Sequence, residues 1–489
     1  MLGNVAYAPQ MPGPARTLPR IGWSLAGACA ALAVGIGASQ NPTTAIAVAV
    51  VIAALLAVFV RPVTLLPILA ASVLLEQIRV EGATISRALA PIALLTVIVE
   101  LVRGRVSIHA RSPLIWACAY TVWALASGLW TVSTGRTVTS LSSLAIALVY
   151  MLSFALLPNS RRDLERVLWA FALASLVLGA VSFPQVSRAL HMGSLLQEGR
   201  SQGGVGDPDY FAATQLVVLP LILVLAGEAR KRWVQVALGG MFLVITGSIL
   251  TSLSRGGLIG LAVLLVLLVL APFDLIFRSR RSKAIALVAI AVGVTALSIQ
   301  SSSSLARRIG PLFSSQGNLS AQQGSGRTEL WKAAWASVGQ HPWLGLGYGG
   351  FAGRSGDLLL ETPGVDLSYY SIRPKGAPAH NTYLGSLADL GLLGPVLYLG
   401  LLVSTGYTLR RTARRAREAG GSFFGRVAGA LLLGLVTWSI TSIFLSTETT
   451  RTFWIVVGLS LALPRLLRVE EKREEANPSL LTPKARAAT

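Results

Sequence analysis

The sequence has few charged residues for its length. Asp, Glu, Lys and Arg make up only 13% of the 489 residues, whereas soluble domains carry about 25%. This shortage excludes an ordinary soluble enzyme and a disordered basic tail, although the net charge is +21. With 53% hydrophobic residues and a mean hydropathy of +0.64, the composition predicts a polytopic membrane protein.

Residues that build disulfides or metal sites are also scarce. The two cysteines, Cys29 and Cys118, lie far apart inside apolar runs, and this arrangement gives neither a disulfide framework nor a zinc-type spacing. The four histidines are scattered along the chain as His109, His191, His341 and His380. We therefore predict no metal site and expect no cofactor.

Long apolar runs bounded by charged residues fill most of the chain. About 20 apolar residues in a helix span the hydrocarbon core of a bilayer. Fourteen runs are candidates: 21–39, 43–60, 63–75, 88–102, 113–130, 139–158, 167–183, 211–226, 234–250, 257–271, 284–300, 382–409, 427–446 and 452–467. The sequence predicts an all-α membrane helix bundle with about 14 transmembrane helices, or 12 to 14 because the third and fourth runs are short.

The distribution of basic residues predicts the orientation. If the N-terminus is cytoplasmic, about two thirds of the 42 Lys and Arg residues fall on the cytoplasmic side, as the positive-inside rule requires. The predicted organisation is a cytoplasmic tail (1–20), a bundle of about eleven helices (21–300), a large outer loop with short helices (301–379), three further helices (380–467) and a cytoplasmic tail (468–489). The first apolar run resembles a signal peptide, but we interpret it as an uncleaved helix.

Two arginines on the predicted outer side are candidates for anion binding. Arg255, in Ser-Arg-Gly-Gly, interrupts two apolar runs at the outer boundary, where it either snorkels from a helix end or binds a ligand. Arg327 begins a short helix predicted over 327–338, with Trp331, Trp335 and Val338 on one apolar face. A positive charge at a helix N-terminus is unfavourable because it opposes the helix dipole. A bound anion would make the position favourable, since both the arginine and the free N–H groups would face it. The alternative is a solvated loop residue.

A third candidate is His380, which precedes Asn381 at the start of the apolar run 382–409. A histidine at the membrane surface is suited to general-base catalysis, whereas Asn381 is also a common helix N-cap. Asp389 lies further along the same run, and an ionisable residue inside a span is a functional candidate.

The fourth candidate is the Gly-rich segment 199–211. It contains Arg200 and Asp207 and leads into a helix, so it either clamps a polar ligand or forms an ordinary turn with a capping aspartate. By contrast, Gly345-Leu-Gly-Tyr-Gly-Gly lacks the flanking strand and helix of a dinucleotide site, and we reject that interpretation.

Outer-side arginines and one histidine, without a nucleotide motif, suit transfer from a preactivated donor. No ATP is present outside the cell, so a donor there must already carry its leaving group. A sugar linked to a polyprenyl diphosphate does so. Arginines would stabilise the departing diphosphate, and a base would take the proton of the acceptor hydroxyl.

Three motifs in order resemble the O-antigen ligase and polymerase superfamily. They are Ser-Arg-Gly-Gly at 254–257, Gly-Arg-Thr-Glu-Leu-Trp-Lys-Ala at 326–333 with Pro-Trp-Leu-Gly-Leu-Gly-Tyr-Gly-Gly-Phe at 342–351, and Ala-His-Asn-Thr-Tyr at 379–383. The resemblance covers roughly residues 200–400. It implies a polytopic glycosyltransferase of the GT-C type that uses undecaprenyl-diphosphate-linked glycans, without metal, at the outer face of the bacterial cytoplasmic membrane.

The resemblance also implies roles for single residues. Arg255 and Arg327 would bind the diphosphate, and His380 would act on the acceptor hydroxyl, so these three are the predicted catalytic residues. The predicted substrate-binding residues are Arg200, Asp207, Tyr348, Asn381 and Asp389. Asp209 stands where the related motif usually has Asn, and Asp389 stands where Glu is common.

The resemblance leaves the acceptor open. A ligase of this superfamily moves a glycan to the lipid A core in surface polysaccharide assembly, whereas a polymerase joins repeat units on lipid carriers. The expected partners are the lipid-linked donor, a glycan or lipid acceptor and membrane lipids, and no nucleic acid. A transporter or flippase is the alternative from another class, although we find no two-half repeat in the sequence.

Overall fold

The structure, a computed structural model, describes residues 62–476 except 77–78, 81–82, 105, 107–110, 192–195, 198, 301–325 and 368–375. The predicted spans 21–39 and 43–60, the N-terminal tail, residues 477–489 and much of the predicted outer loop therefore lie outside the described residues. The described part is almost entirely helical.

The described residues form sixteen α-helices. In chain order they are α1 (Leu65–Ser72), α2 (Ile85–Val102), α3 (Ser112–Ala126), α4 (Thr134–Leu156), α5 (Arg161–Val181), α6 (Pro184–Ala189), α7 (Pro208–Glu228), α8 (Arg232–Ser252), α9 (Arg255–Leu270), α10 (Arg280–Gln300), α11 (Arg327–Gln340), α12 (Gly350–Glu361), α13 (Thr382–Leu390), α14 (Leu393–Glu418), α15 (Phe423–Thr441) and α16 (Arg451–Ala476).

Two short antiparallel hairpins interrupt the helices. In the first, β1 (Arg79–Val80) pairs with β2 (Ala83–Thr84), and Val80 lies opposite Ala83. In the second, β3 (Leu196–Gln197) pairs with β4 (Arg200–Ser201), and Gln197 lies opposite Arg200. The second hairpin places Arg200 at the entrance to α7.

Several helices begin where the sequence supplies an N-cap. The side chains of Thr84, Ser160, Asp207, Ser254, Asn381 and Ser422 each accept a backbone N–H of the following first turn. Such caps satisfy donors that a helix cannot satisfy internally. The local sequence thus fixes where α2, α5, α7, α9, α13 and α15 start.

The described part includes eight helical segments that are long and apolar enough to cross a membrane. They are 85–102, 112–129, 134–156, 161–181, 208–228, 232–252, 423–444 and 451–473, and two shorter apolar helices cover 62–75 and 255–270. These segments confirm the predicted all-α membrane bundle. The predicted count of fourteen spans is not confirmed.

The predicted single span 382–409 is two helices. Helix α13 ends at Leu390, Gly391 adopts a φ of +64°, and α14 begins at Leu393. Glycine adopts this left-handed conformation without the steric penalty of a side chain, so Gly391 allows the chain to turn inside an apolar run. The run is continuous in hydropathy, and hydropathy alone could not locate the break.

Helix α7 is the centre of the main hydrophobic core. Nearly all its side chains from Phe211 to Leu225 are buried, and α5, α8, α9 and α15 pack around it. Helix α14 packs against α3 and α15, and α16 against α4. A helix that is apolar on every side belongs inside a bundle, so residues at its first turn are held rigidly.

A smaller core joins α11, α12 and α13. It contains Leu330, Phe351, Leu358 and Leu384, among other residues. The predicted helix at 327–338 is present as α11, but the prediction for its apolar face is wrong in part. Trp335 is 61% exposed, because the buried face carries Leu330, Ala333, Ala334 and Ser337 instead.

Candidate functional site

The site forms where the second hairpin and the starts of α7, α9, α11 and α13 meet. Arg200 Nη2 donates to Asp209 Oδ1 at 3.1 Å, and Arg200 Nε donates to the carbonyl oxygen of Ser252 at 2.8 Å. Arg327 Nη2 donates to Asp209 Oδ2. One carboxylate therefore holds two arginines that lie far apart in the sequence.

These charged side chains are mostly buried but keep some exposure to solvent. The side chains of Arg200 and Arg327 are 16% and 18% exposed, and that of Asp209 is 9% exposed. Attraction between charges is stronger in such surroundings than in bulk water. Two guanidinium groups that donate to the two oxygens of one carboxylate are also well placed to donate to the oxygens of a phosphate.

His380 completes the arginine cluster, a name used here for Arg200, Asp207, Asp209, Arg327 and His380. The imidazole lies near Arg327, Asp207 and Asp209. Burial and the positive charge of Arg327 lower the pKa of His380 below its ordinary 6.5, and the two aspartates only partly oppose this shift. The imidazole is therefore neutral at pH 7, with a buried Nδ1 that has no hydrogen-bond partner among the described residues.

Asp207 is the N-cap of α7. Its Oδ1 accepts the N–H groups of Asp209 at 2.7 Å and of Tyr210 at 3.2 Å. Of the two interpretations of segment 199–211, the turn with a capping aspartate therefore applies to Asp207. The cap fixes the backbone of Asp209 and through it the carboxylate between the two arginines.

Arg255 is the first residue of α9, directly after its N-cap, Ser254. A Cβ added to Gly257 would lie 2.5 Å from the Cβ of Ala212 in α7. The glycine thus permits close packing of the two helices. That packing places Arg255 near the first turn of α7, whose second residue is Asp209.

Asn381, Asp389 and Tyr348 use their polar groups within the fold. Asn381 Oδ1 caps α13 by accepting the N–H groups of Tyr383 and Leu384, each at 3.0 Å. The Asp389 carboxylate accepts the N–H groups of Gly349 and Phe351, each at 2.8 Å. These bonds hold the glycine-rich loop 345–349, which α12 follows directly, so the expectation that no helix flanks this loop is wrong.

Tyr348, in that loop, is 4% exposed. Its ring stands edge-on to Tyr120, with 6.2 Å between the ring centroids. In this structure Tyr348 packs inside the protein, so a contribution to substrate binding would be indirect.

Glu448, which no sequence motif marked as a site residue, lies at the same end of the bundle. It lies in the turn between α15 and α16, and its Oε1 is 3.4 Å from where a Cβ on Gly385 of α13 would be. Its side chain is only partly accessible to solvent. Its position in a short loop on the predicted outer side was the one available signal, and that signal does not reveal proximity to α13.

Arg451, likewise marked by no sequence motif, anchors the same turn from its other end. Its guanidinium forms an ion pair with Glu76 just after α1, and its side chain is 8% exposed. Glu448 therefore sits between two fixed points, α13 on one side and the Arg451–Glu76 pair on the other.

The described residues contain no group of three or more His, Cys, Asp or Glu side chains arranged to hold a metal ion. The positive charge at this site comes from guanidinium groups. The arrangement can bind an anion and place a neutral imidazole and a separate carboxyl group near it.

Comparison with known proteins agrees with the motifs. Residues 240–399 match the family model described as O-antigen ligase, and this segment contains Arg255, Arg327 and His380. No curated protein matches the chain significantly. Arg200 and Glu448 lie outside the matched segment. The match confirms the resemblance to the O-antigen ligase and polymerase superfamily.

Proposed function

We propose that this chain, a membrane protein of the O-antigen ligase and polymerase superfamily, transfers a glycan from a polyprenyl diphosphate carrier to an acceptor hydroxyl. The observation that carries the proposal is the meeting of Arg200, Arg327 and His380 around Asp209. The family match supports a ligase-like or polymerase-like glycosyltransferase in general. The donor and the sidedness are our inference.

In this proposal the arginines bind the donor through its diphosphate. A phosphate oxygen takes the place of a carboxylate oxygen between Arg200 and Arg327, and Arg255 approaches from the start of α9. Fixed positive groups stabilise the negative charge that develops on the leaving diphosphate. The contact of Arg200 with the carbonyl oxygen of Ser252 holds that guanidinium group in place when the phosphate oxygen replaces the carboxylate oxygen.

The site lies at the end of the bundle that the positive-inside rule assigns to the outside. The predicted spans leave 184–210, 251–256, 301–379 and 447–451 on the outer side. Residues in or next to these segments contact one another, as Arg200 and Ser252, Tyr210 and Ser446, and Thr382 and Thr447 do. This agreement supports a site at the outer face of the cytoplasmic membrane, where a diphosphate-linked donor supplies its own driving force.

The backbone around the site supports a functional role. Leu253 and His380 adopt φ values of +50°, in the left-handed region that costs a side-chain-bearing residue roughly 1–2 kcal/mol. Such strain is often found at functional sites. Here it orients Ser254-Arg255 and His380.

The test is turnover by purified protein in proteoliposomes with a synthetic undecaprenyl-diphosphate glycan. The acceptors are lipid A core for a ligase and a second donor molecule for a polymerase. We expect a new glycosidic bond to one acceptor and one equivalent of released lipid diphosphate. Translocation of intact donor across the bilayer without bond cleavage would instead establish the flippase alternative.

A further inference from the structure

The turn that carries Glu448 is fixed against the helices of the arginine cluster. The Thr447 N–H donates to Thr382 Oγ1 at 2.8 Å, and the Thr382 hydroxyl donates to the carbonyl oxygen of Leu445 at 2.7 Å. The Tyr210 hydroxyl donates to the carbonyl oxygen of Ser446. Thr382 follows His380 by two residues and Tyr210 follows Asp209 directly, so Glu448 has a defined position beside both.

Within the described part of the chain, no cation lies beside the carboxyl group of Glu448. The ionisable groups that face it are Asp389, Tyr120, Tyr210, Tyr348 and Tyr398. Among the described residues, no other side chain donates a hydrogen bond to this carboxylate or forms an ion pair with it. Every other acidic residue named around the site is held by an arginine or by backbone N–H groups.

These surroundings make Glu448 an unusually strong base for a carboxylate. Burial, the largest cause, and the charge of Asp389 together raise its pKa from 4.5 to about 8, although a hydrogen bond from the Glu448 backbone N–H opposes the shift. A general base works best when its pKa lies near the working pH. Glu448 as a whole residue is partly accessible, and a role as base requires the acceptor hydroxyl to reach its carboxyl group.

His380 and Glu448 occupy different parts of the site. The charged groups around His380 are Arg327, Asp207 and Asp209, all in the arginine cluster. Tyr210 lies between the two parts, because it faces Arg327 and both aspartates as well as Glu448. His380 is thus on the diphosphate side, and Glu448 is on the other side of Tyr210, the side that we assign to the acceptor.

We infer that Glu448 is a catalytic residue, the base that accepts the proton of the acceptor hydroxyl. This inference rests on the glycan transfer proposed above. In the step, the acceptor oxygen bonds to the anomeric carbon while its O–H bond breaks, and the proton moves to a Glu448 oxygen. The bond from the anomeric carbon to the phosphate oxygen breaks, and its electron pair leaves with the lipid diphosphate. Glu448 then releases the proton to water.

The test is the pH dependence of kcat/KM for glycan transfer by the wild-type protein. A carboxyl group with a raised pKa is protonated below about pH 8, so the rate should rise with pH and level off above 8. If His380 were the base, the rise would instead lie below pH 6.5, because the pKa of His380 is lowered. A rise confined to that lower range would overturn the inference.

Variants sharpen the test. Glu448→Gln preserves the shape of the side chain and should lower kcat about 10²-fold to 10⁴-fold, remove the rise near pH 8 and leave the donor KM nearly unchanged. Glu448→Asp should recover part of the rate. Glu471→Gln, at the opposite end of the bundle, is the matched control and should keep the wild-type profile.

Three outcomes distinguish this inference from the proposed function. If Glu448→Gln transfers glycan within about threefold of wild type, Glu448 is not the base, although the transferase proposal stands. If the wild-type protein makes no glycosidic bond with any acceptor, the proposed function fails first. If Glu448→Gln does not fold, the wild-type pH profile alone still decides between Glu448 and His380.

Discussion

The two ends of the bundle each contain one carboxylate that holds two arginines, and their surroundings differ. At the site, Asp209 holds Arg200 and Arg327. At the opposite end, Glu228 of α7 accepts hydrogen bonds from Arg161 at 2.8 Å and from Arg426. Asp209 and Glu228 lie in the first and last turns of the same helix, so the comparison is well matched.

We call each carboxylate with its two arginines a triad. The groups that lie beside the two triads differ. At the opposite end, the guanidinium of Arg161 lies over the ring of Phe423, 4.6 Å from its centroid, and two more ion pairs, Arg415–Glu471 and Arg417–Asp274, join helix ends. These contacts fasten helices together. At the site, His380 and Glu448 stay outside the ion pairs and are placed to act on a ligand.

The backbone shows the same contrast. Near the opposite end, the connection between α14 and α15 uses Gly420 and Gly421, with φ values of +93° and +90°, which glycine adopts without strain. At the site, Leu253 and His380 take the left-handed conformation instead. An arginine–carboxylate pair therefore does not identify a functional site by itself; the proposed site differs from the opposite end by the strained Leu253 and His380.

The largest expected effect separates the two triads directly. Arg327→Ala should lower glycan transfer about 10²-fold to 10³-fold, the usual loss when a group that stabilises transition-state charge is removed. Arg426→Ala should keep transfer within a few fold but cost about 1–3 kcal/mol of stability, because Glu228 loses a charged hydrogen bond. Paired assays of turnover and thermal unfolding check both. Equal activity losses would mean that the two triads are both structural.

Asp209→Asn should have a smaller effect than Arg327→Ala, and it should strengthen donor binding rather than weaken it. The carboxylate competes with a phosphate for Arg200 and Arg327, whereas an amide oxygen competes less because it carries no full charge. We expect the donor KM to fall several-fold at low ionic strength, measured by initial rates. A raised donor KM would show that Asp209 mainly holds the arginines in place.

Gly385→Ala should separate stability from activity. Alanine replaces glycine inside α13, which favours the helix by up to about 1 kcal/mol. Its Cβ would lie 3.4 Å from Glu448 Oε1 and restrict that carboxyl group. The expected result is a slightly higher melting temperature with a transfer rate lowered a few fold; a variant that is both more stable and fully active would argue against a precise Glu448 position.

Treatment with EDTA should change almost nothing. Guanidinium groups provide the positive charge in this mechanism, so turnover is expected to persist in the chelator. Loss of activity with recovery on adding a divalent cation would refute this expectation.

Much of the fold could be predicted because hydropathy and charge record the membrane environment. Apolar runs located α2 to α5 and α7 to α10 to within six residues, since a span of the hydrocarbon core needs about 20 apolar residues. The break at Gly391 escaped prediction because both flanking helices are apolar. Trp335 was misplaced because α11 packs on α12 and α13, which spacing along one helix cannot show.

The site could be predicted in part for a related reason. Sidedness and motifs selected Arg200, Arg255, Arg327 and His380, but they could not show that Asp209 joins two of the arginines, since that contact depends on the path of the chain. Glu448 stands among Ser, Thr and Arg in no recognised motif. Its proximity to Gly385 arises only when the turn after α15 folds back onto α13.

The most direct measurement is equilibrium binding of a labelled polyprenyl-diphosphate glycan to the wild-type protein, Arg327→Ala and Arg426→Ala. All three carry the same membrane-embedded helices, so nonspecific partitioning of the lipid cancels between them. The arginine cluster should give wild type and Arg426→Ala the same affinity, and Arg327→Ala a tenfold or greater loss, about 1.4 kcal/mol. Equal binding by Arg327→Ala and wild type would contradict the assignment of this cluster to the diphosphate.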